Sequence, residues 1–389
     1  MGIVVTGVGI VSALGIGVEK NLASIRRGES GISAVPSILK TTNRLPVGEL
    51  PMTNEELHDL FSVKEHLSRT ALLGILAVKE AMACAEIDFT KRVGLVSSTS
   101  VGGMDLSEHF FEDFIVDDAK GRLRDVKMHD CAASTDAIAQ YCGINSYTTT
   151  ISTACSSAAN AVIAGAKLLK HNIVDYVVVG GSDALSAFTL NGFKSLMILD
   201  ERPCRPFDAT RAGLNLGEGA GYLLLQREED AASYYCRLGG YSNRNDAHHQ
   251  TASSEEGNGA YLAMSEALQM ANVSPEDVSY INAHGTGTGN NDASESAAFL
   301  RIFGDKMPPF SSTKAFTGHT LAAAGGIEAV LSVLAIKQAC RYPNLNFATA
   351  IPEYGLKPIL NYEENISVDS VLTNSFGFGG NCSSLLFIK

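Results

Sequence analysis

Short β-branched runs alternate with alanine-rich stretches along the whole chain, and this alternation limits the fold more than any other feature. The runs are bounded by glycine or serine and predict buried strands at Ile3–Thr6, Val93–Ser97, Tyr176–Val179, Tyr222–Leu225, Cys236–Gly239, Tyr280–Ala283 and Val371–Asn374. The stretches between them predict helices at Thr70–Ala85, Ser156–Leu169, Gly259–Met270 and Gly325–Cys340. Alternating strands and helices indicate an α/β fold with mostly parallel sheets.

The same plan of strands and helices occurs twice along the chain. We therefore predict two halves, 1–230 and 231–389, which resemble each other in the order of elements but not in residue identity. No low-complexity linker separates them, so the halves are expected to share one interface. The stretch from Glu108 to His129, rich in charge and phenylalanine, falls between strand signals and is predicted to be an insertion or a capping element.

Charge and composition exclude several classes of function. The net charge of −12 argues against nucleic acid or an anionic membrane as the main partner, because both would repel an acidic surface. The sequence has no uninterrupted apolar run of about 18 residues and no secretory signal, so a cytoplasmic protein is expected. The eight cysteines show neither a CxxC pair nor zinc-type spacing, so we expect reduced thiols and neither a metal nor a cofactor. Gly7 and Gly9 lack the third glycine of a dinucleotide fingerprint.

Cys155 stands where a short apolar strand end meets a helix of small residues, within Ile151–Asn160. Unpaired amides and the dipole at a helix N-terminus stabilise a thiolate, so this position predicts a more acidic and more nucleophilic cysteine than a free one. The alternative is a buried structural cysteine, which position alone would favour. The choice between them depends on the other motifs.

Two histidines, His284 and His319, each follow an apolar strand and are flanked by glycine and threonine. One such histidine is more often a polar surface residue, but a pair in matching settings indicates an active site at the ends of the strands. The last glycine-rich segment, Asn374–Asn381, predicts a turn whose backbone amides face a developing negative charge. Its alternative is a plain hairpin between the last two strands.

These segments together closely resemble the elongating β-ketoacyl-acyl-carrier-protein synthases of the thiolase-like superfamily. The resemblance spans nearly the whole chain and also includes Val5–Gly9, Cys204–Asp208, Leu216–Gly221 and Asp246–His249. It implies a thiolase-like α/β fold of two similar βαβ-type halves, whose mixed five-stranded sheets lie in an α-β-α-β-α arrangement.

The resemblance also implies a reaction. Cys155 would carry an acyl chain and condense it with malonyl-acyl carrier protein, with loss of carbon dioxide, in fatty acid or related polyketide or polyene biosynthesis. His284 and His319 would hold the malonyl thioester oxygen, and the amides of Cys155 and Phe378 would form an oxyanion hole. Phe378 also resembles the gating residue of the family.

Two further residues match a buried pair of the family. Lys314 corresponds to its lysine and Glu328 to the acidic partner, so both a catalytic contribution and a purely structural pairing stay open. The chain departs from the usual Gly-Gly-Thr-Asn ending, because Asn381 and Cys382 follow Gly380. The hydrogen bonds of the gating loop are therefore expected to differ.

The implied partners are an acyl carrier protein carrying acyl and malonyl groups and a second subunit, either another copy or a related chain. A basic patch for the carrier is predicted from Lys64, Arg69, Arg202 and Arg205. Two alternatives remain. A non-catalytic chain-length-factor-like subunit would lack the nucleophile that Cys155 supplies, and a thiolase-type acyl-CoA acyltransferase would need a second cysteine, for which Cys382 is the candidate.

Overall fold

The computed structural model describes residues 2–61 and 66–389 and has an α/β fold, as predicted. Its strands are β1 (Ile3–Ser12), β2 (Gly15–Ile16), β3 (Ile32–Ser33), β4 (Val47–Gly48), β5 (Val93–Ser98), β6 (Thr148–Ile151), β7 (Tyr176–Asp183), β8 (Gly219–Arg227), β9 (Cys236–Asn245), β10 (Tyr280–Asn282), β11 (Phe310–Ser311), β12 (Cys340–Arg341), β13 (Glu363–Glu364), β14 (Ser370–Gly377) and β15 (Asn381–Ile388). Its helices are α1 (Val18–Arg27), α2 (Asn54–Phe61), α3 (Arg69–Ala83), α4 (Met104–Phe114), α5 (Leu123–Val126), α6 (Cys131–Tyr141), α7 (Ser157–Lys170), α8 (Ala187–Ser195), α9 (Asn258–Ala271), α10 (Gly289–Phe303), α11 (Lys314–Thr317) and α12 (Ala324–Gln338).

The main sheet has eleven strands, which are two groups of five and the short β2 that pairs with β1. The order β11-β10-β14-β15-β9 continues through β9 into β1-β8-β7-β5-β6. Strand β10 is parallel to β11 and β14, and β5 is parallel to β6 and β7, whereas the remaining neighbours in this order are antiparallel. Among the residues that the structure describes, the two groups pair where Val4 and Val5 of β1 lie beside Arg237 and Cys236 of β9. They are the two mixed five-stranded sheets that the resemblance implied.

Helices form layers on both sides of these two groups and between them. Helix α3 packs on β1, β8 and β7, whereas α9 packs on β9 and β15, with α10 beside it. Helices α7 and α12 pack against each other between the groups, and α12 contacts both β8 and β14. This is the five-layered α-β-α-β-α arrangement.

Helix α12 is apolar on all sides because it lies between two sheets. Every residue from Ala324 to Ile336 is buried. The stretch Leu321–Gln338 is long and apolar enough to cross a membrane, but 89% of it is buried inside the protein, as expected of a central core helix.

The predicted insertion, Glu108–His129, contains most of α4 and all of α5. Several of its large apolar side chains are exposed, among them Phe111, Ile115, Val116 and Leu123. The segment is thus a surface element beside the core sheets. The last predicted segment does form a hairpin, between β14 and β15.

Candidate active site

Cys155 lies in a tight turn between β6 and α7. The preceding residue, Ala154, has a φ of 50°, a left-handed conformation that residues other than glycine rarely adopt. The Ser157 N–H donates to the carbonyl of Ala154 at 3.1 Å, which closes the turn just before α7 begins. The turn leaves the Cys155 side chain only 6% exposed, at the start of the helix as the sequence predicts.

The acidity of Cys155 differs from the prediction. Burial raises the pKa of the thiol to about 11, and this outweighs the charge of Lys314 and the N–H groups of Phe378 and Cys155 itself, all of which lower it. The prediction of a lowered pKa was therefore wrong in direction. Removing the sulfur from water destabilises the thiolate more than the helix N-terminus stabilises it. The resting cysteine is a neutral thiol at pH 7.

His284 follows β10 and is held through its backbone and its ring. Its N–H donates to Glu295 Oε1 at 2.9 Å, and Lys314 Nζ lies 3.2 Å from its Nδ1. Because an ammonium group only donates, Nδ1 accepts and the ring proton is on Nε2. Burial, the charge of Lys314 and the neighbouring His319 keep the pKa of His284 well below 6.5, so the imidazole is neutral.

His319 lies just after α11, and its ring is 5.5 Å from that of His284, at an interplanar angle of 87°. The Leu321 N–H donates to its Nδ1 at 3.2 Å, which also places its proton on Nε2. Burial and the charge of Lys314 keep the pKa of His319 well below 6.5. The site therefore contains two neutral imidazoles, each with an Nε2–H free to donate.

Lys314 and Glu328 form a buried ion pair beside His284, with both side chains 2% exposed. Lys314 Nζ donates to the carbonyl of His284 at 2.6 Å and to Glu328 Oε1. Burial raises the pKa of Glu328 to about 7 although Lys314 opposes it. Lys314 thus contacts His284 directly, whereas the Glu328 carboxylate contacts Lys314.

Phe378 lies in the turn between β14 and β15. Its ring stacks on Phe193 with centroids 6.0 Å apart, and the next residue, Gly379, donates its N–H to the Gln250 carbonyl at 2.7 Å. The Phe378 N–H is directed at the sulfur of Cys155, whose pKa it lowers. The turn therefore brings both a backbone donor and an aromatic ring to Cys155.

Asn381, which replaces the threonine expected at this position, connects the turn to Ser156 and α7. Its Oδ1 accepts hydrogen bonds from Ser156 Oγ at 2.6 Å, Asn160 Nδ2 at 2.9 Å and Asn243 Nδ2 at 2.7 Å. The side chain that stands in place of the usual threonine is thus an acceptor for donors on α7 and β9.

One cavity of about 160 Å³ brings four of the six predicted site residues together, whereas Lys314 and Glu328 are not among its lining residues. Cys155, His284, His319 and Phe378 all line it. Its other lining side chains are of two kinds, the apolar Phe193, Ile198, Leu214 and Phe376, and the polar Thr251, Ser253, Thr286, Thr288, Asn290 and Asn291. The cavity can thus receive a molecule with an apolar part and a polar, hydrogen-bonding part.

Two sequence predictions around the site are wrong. Arg69 is 4% exposed and paired with Glu218 at 2.6 Å, and Arg205 is 8% exposed and paired with Asp200 at 2.7 Å, so neither contributes to a basic patch. Each is buried because a carboxylate is buried beside it. Arg202 is exposed, and Lys64 lies outside the described residues.

Two further buried residues, Cys382 and Asp183, do not line the described cavity. Cys382 is buried among the core residues of β15 and does not line the described cavity, so it is not placed to act with Cys155. Sequence reasoning missed Asp183, a fully buried carboxylate at the end of β7. The signal that singled out His284 does not apply to Asp183, which lies four residues beyond the predicted strand end at Val179 and is itself the last residue of β7.

The chain is similar to known proteins over its whole length. Sequence models of the beta-ketoacyl synthase N-terminal and C-terminal domains match residues 1–231 and 235–348, respectively. The 3-oxoacyl-[acyl-carrier-protein] synthase 2 of Staphylococcus aureus (strain COL) is 32% identical over 406 aligned positions, covering 100% of this chain and 98% of the relative. A solved structure of the ishigamide ketosynthase/chain length factor superposes with a TM-score of 0.94 at 28% identity, covering 100% of this chain and 99% of that one. A type II polyketide synthase acyl-carrier protein in complex with its ketosynthase gives a TM-score of 0.89 at 26% identity, with coverage of 100% and 99%.

Proposed function

Because the chain belongs to the β-ketoacyl synthase family, we propose that it condenses an acyl group on Cys155 with malonyl-acyl carrier protein. The products are a 3-oxoacyl-carrier protein and carbon dioxide. The observation that carries the proposal is that one cavity is lined by the thiol of Cys155 and by the imidazoles of His284 and His319.

The first step is transfer of the acyl group. Cys155 Sγ attacks the thioester carbonyl carbon of an acyl-carrier protein, and the carbon–sulfur bond to the carrier breaks. The thiol proton passes to the departing carrier sulfur, so the carrier leaves as a free thiol. The N–H groups of Cys155 and Phe378 would stabilise the oxyanion, and the proposal is supported by their interaction with the Cys155 sulfur. The acyl chain would extend along the apolar Phe193, Ile198 and Leu214.

The second step is loss of carbon dioxide from the malonyl thioester. The bond to the carboxylate breaks, and its electron pair moves into an enolate whose negative charge lies mainly on the thioester oxygen. The Nε2–H groups of His284 and His319 would donate to this oxygen. Neutral donors in a buried cavity bind the enolate more strongly than the thioester, because the charge develops only as the bond breaks.

The third step forms the new bond. The enolate carbon attacks the acyl carbon on Cys155, and the sulfur leaves and takes a proton from solvent to restore the thiol. The high pKa of Cys155 favours that protonation. One turnover therefore consumes one proton and leaves the enzyme unchanged.

We also propose an acyl carrier protein as the partner. The solved ketosynthase relative in complex with its acyl-carrier protein supports this, and the hydroxyl and amide groups of the cavity suit a flexible arm that carries amides and a thioester. We propose that two arginines contact the acidic carrier, the exposed Arg202 and the partly exposed Arg211. Arg211 also donates to the carbonyls of Thr288 and Gly289. The second subunit is another copy or a related chain such as the chain length factor of the ishigamide protein.

The test is incubation with acyl-carrier protein and malonyl-carrier protein, with mass spectrometry of the intact enzyme and the products. We expect acylation at Cys155 alone and a 3-oxoacyl product two carbons longer than the acyl donor. Cys155→Ala should abolish both, whereas Cys382→Ala, a matched change at a buried cysteine away from the cavity, should spare both. Absence of acylation would instead indicate a non-catalytic subunit, and thiolysis of an acetoacetyl thioester would indicate a thiolase.

A further inference from the structure

Asp183 is a buried carboxylate that takes no part in the steps above. We propose that Asp183 is a positioning residue: by accepting a hydrogen bond from the Ala322 N–H, it holds the turn whose Leu321 N–H fixes the tautomer of His319. This inference rests on the proposed function, because it assigns His319 to the decarboxylation step.

The surroundings of Asp183 are unusual for a carboxylate. Its side chain is fully buried, and it accepts hydrogen bonds from Thr99 Oγ1, from Ser100 Oγ at 2.7 Å and from Ala322 N at 2.8 Å. Within residues 2–61 and 66–389, no lysine, arginine or histidine forms an ion pair with it. Burial raises the pKa of Asp183, and these neutral donors oppose the rise. A carboxylate that is costly to bury implies a contact the fold requires.

The contact to Ala322 reaches a strained turn. Leu321, the first residue of the 3-10 turn Leu321–Ala323, has a φ of 52°, in the left-handed region that leucine rarely adopts. Such a conformation persists only where the surroundings hold it. The strongest hold on the side of β5 and β7 is the bond of Ala322 N to Asp183, since Ser98 Oγ reaches the Ala322 carbonyl only at 3.5 Å.

The 3-10 turn Leu321–Ala323 also orients His319. In its strained conformation Leu321 directs its N–H at His319 Nδ1, 3.2 Å away. With Nδ1 as acceptor, the single proton of the neutral ring is on Nε2 and can donate to the thioester oxygen. Without the Leu321 donor the proton can move to Nδ1, and Nε2 would then present a lone pair to the enolate.

The two half-reactions should therefore respond differently to loss of Asp183. Decarboxylation uses the Nε2–H of His319, whereas acyl transfer uses Cys155 and the N–H of Phe378. The charge of Asp183 also raises the pKa of Cys155, so its removal should not slow acylation. A carboxylate that only braced β5 against β7 would affect both half-reactions alike.

The experiment measures both half-reactions in Asp183→Ala, with Ser100→Ala as the matched control. Ser100→Ala removes a donor to the same carboxylate but leaves the bond to Ala322. Decarboxylation is measured as labelled carbon dioxide from malonyl-carrier protein without an acyl donor, and acylation as the rate of mass increase of the enzyme. We expect Asp183→Ala to lower decarboxylation about 10- to 100-fold, the range found when partners behind metal-binding histidines are removed, while acylation keeps its rate.

Asp183→Asn serves if the alanine variant does not fold. It retains one acceptor oxygen, so its loss should be smaller but again confined to decarboxylation. In protein labelled with ¹⁵N-histidine, with His319 assigned from a His319→Gln variant, the signal should change from pure Nε2–H to a mixture of tautomers. Equal loss in both half-reactions, or an unchanged His319 tautomer, overturns the inference. If the wild-type enzyme itself releases no carbon dioxide, the proposed function fails instead.

Discussion

Replacing Lys314 with methionine should make the stability of the protein depend on pH in a way that the wild type does not. The change leaves Glu328 buried without its cation. In the wild type burial raises the pKa of Glu328 to about 7 even with Lys314 beside it, so the carboxylate is mostly ionised at pH 8. Without the lysine its pKa must rise further, and the side chain stays protonated in the folded variant.

The size of the effect follows from proton linkage. At pH 7 about half of the folded wild type is protonated at Glu328, because its pKa is about 7, whereas at pH 9 neither the folded nor the unfolded wild type binds a proton there. Through this residue the free energy of unfolding of the wild type therefore falls by only about 0.4 kcal/mol between pH 7 and pH 9. The folded variant binds one proton that the unfolded variant does not, so its free energy of unfolding falls with pH by about 1.4 kcal/mol per unit. Between pH 7 and pH 9 the variant should lose about 2.7 kcal/mol, which is about 2.3 kcal/mol more than the wild type loses.

The assay is unfolding by urea at pH 7, 8 and 9, followed by circular dichroism because the chain contains no tryptophan. The double variant Lys314→Met/Glu328→Gln is the control, since an amide does not titrate and the wild-type slope should return. Parallel curves for the wild type and Lys314→Met would refute the reasoning. They would mean that Glu328 does not depend on the lysine for its charge.

Three further predictions follow from burial and close packing. Gly326→Ala should destabilise the protein by about 1–3 kcal/mol or more, because the new Cβ would lie 2.3 Å from the Gly221 carbonyl oxygen. Gly192→Ala is the contrasting change, and it should raise the melting temperature because Gly192 is an exposed helical residue with open space around it. Arg69→Met should lower the free energy of unfolding by about 3–5 kcal/mol, as when one partner of a buried pair is lost, without changing the KM for carrier-bound substrate. Alkylation of Cys155 by iodoacetamide, followed by peptide mass spectrometry, should accelerate about tenfold per unit between pH 7 and pH 9, since its pKa of about 11 leaves the thiolate fraction rising throughout; a plateau near pH 7 would contradict this.

The fold class was predictable because strands and helices carry local periodicities, but the ends of the elements were not. The first strand was predicted to stop at Thr6, and it continues to Ser12. In the sequence, Gly7 and Gly9 lack the third glycine of a nucleotide fingerprint, and no other role was predicted for them. In the structure their missing side chains let α3 approach the strand, since a Cβ on Gly9 would lie 1.9 Å from the Ala77 carbonyl oxygen. A helix that approaches from 68 residues away along the chain leaves no local signal.

The candidate site was predictable where its residues follow strands, and unpredictable where burial decides. Cys155, His284 and His319 share a cavity because the ends of β6, β10 and β11 converge there. The burial of Arg69 depends on Glu218, which is 149 residues further along, and the pKa of Cys155 depends on its exclusion from water. The division at residue 230 and the catalytic roles of these residues stay predictions.

The narrow join between β1 and β9 has a consequence for how the enzyme comes into being. The thiol belongs to the strands synthesised first, and both imidazoles belong to those synthesised last. While the ribosome has delivered only the early strands, the nascent protein can expose a sulfur but has nothing with which to release carbon dioxide. Under the proposed mechanism, a partly synthesised chain therefore cannot decarboxylate malonyl groups. Decarboxylation begins only when the late strands have docked.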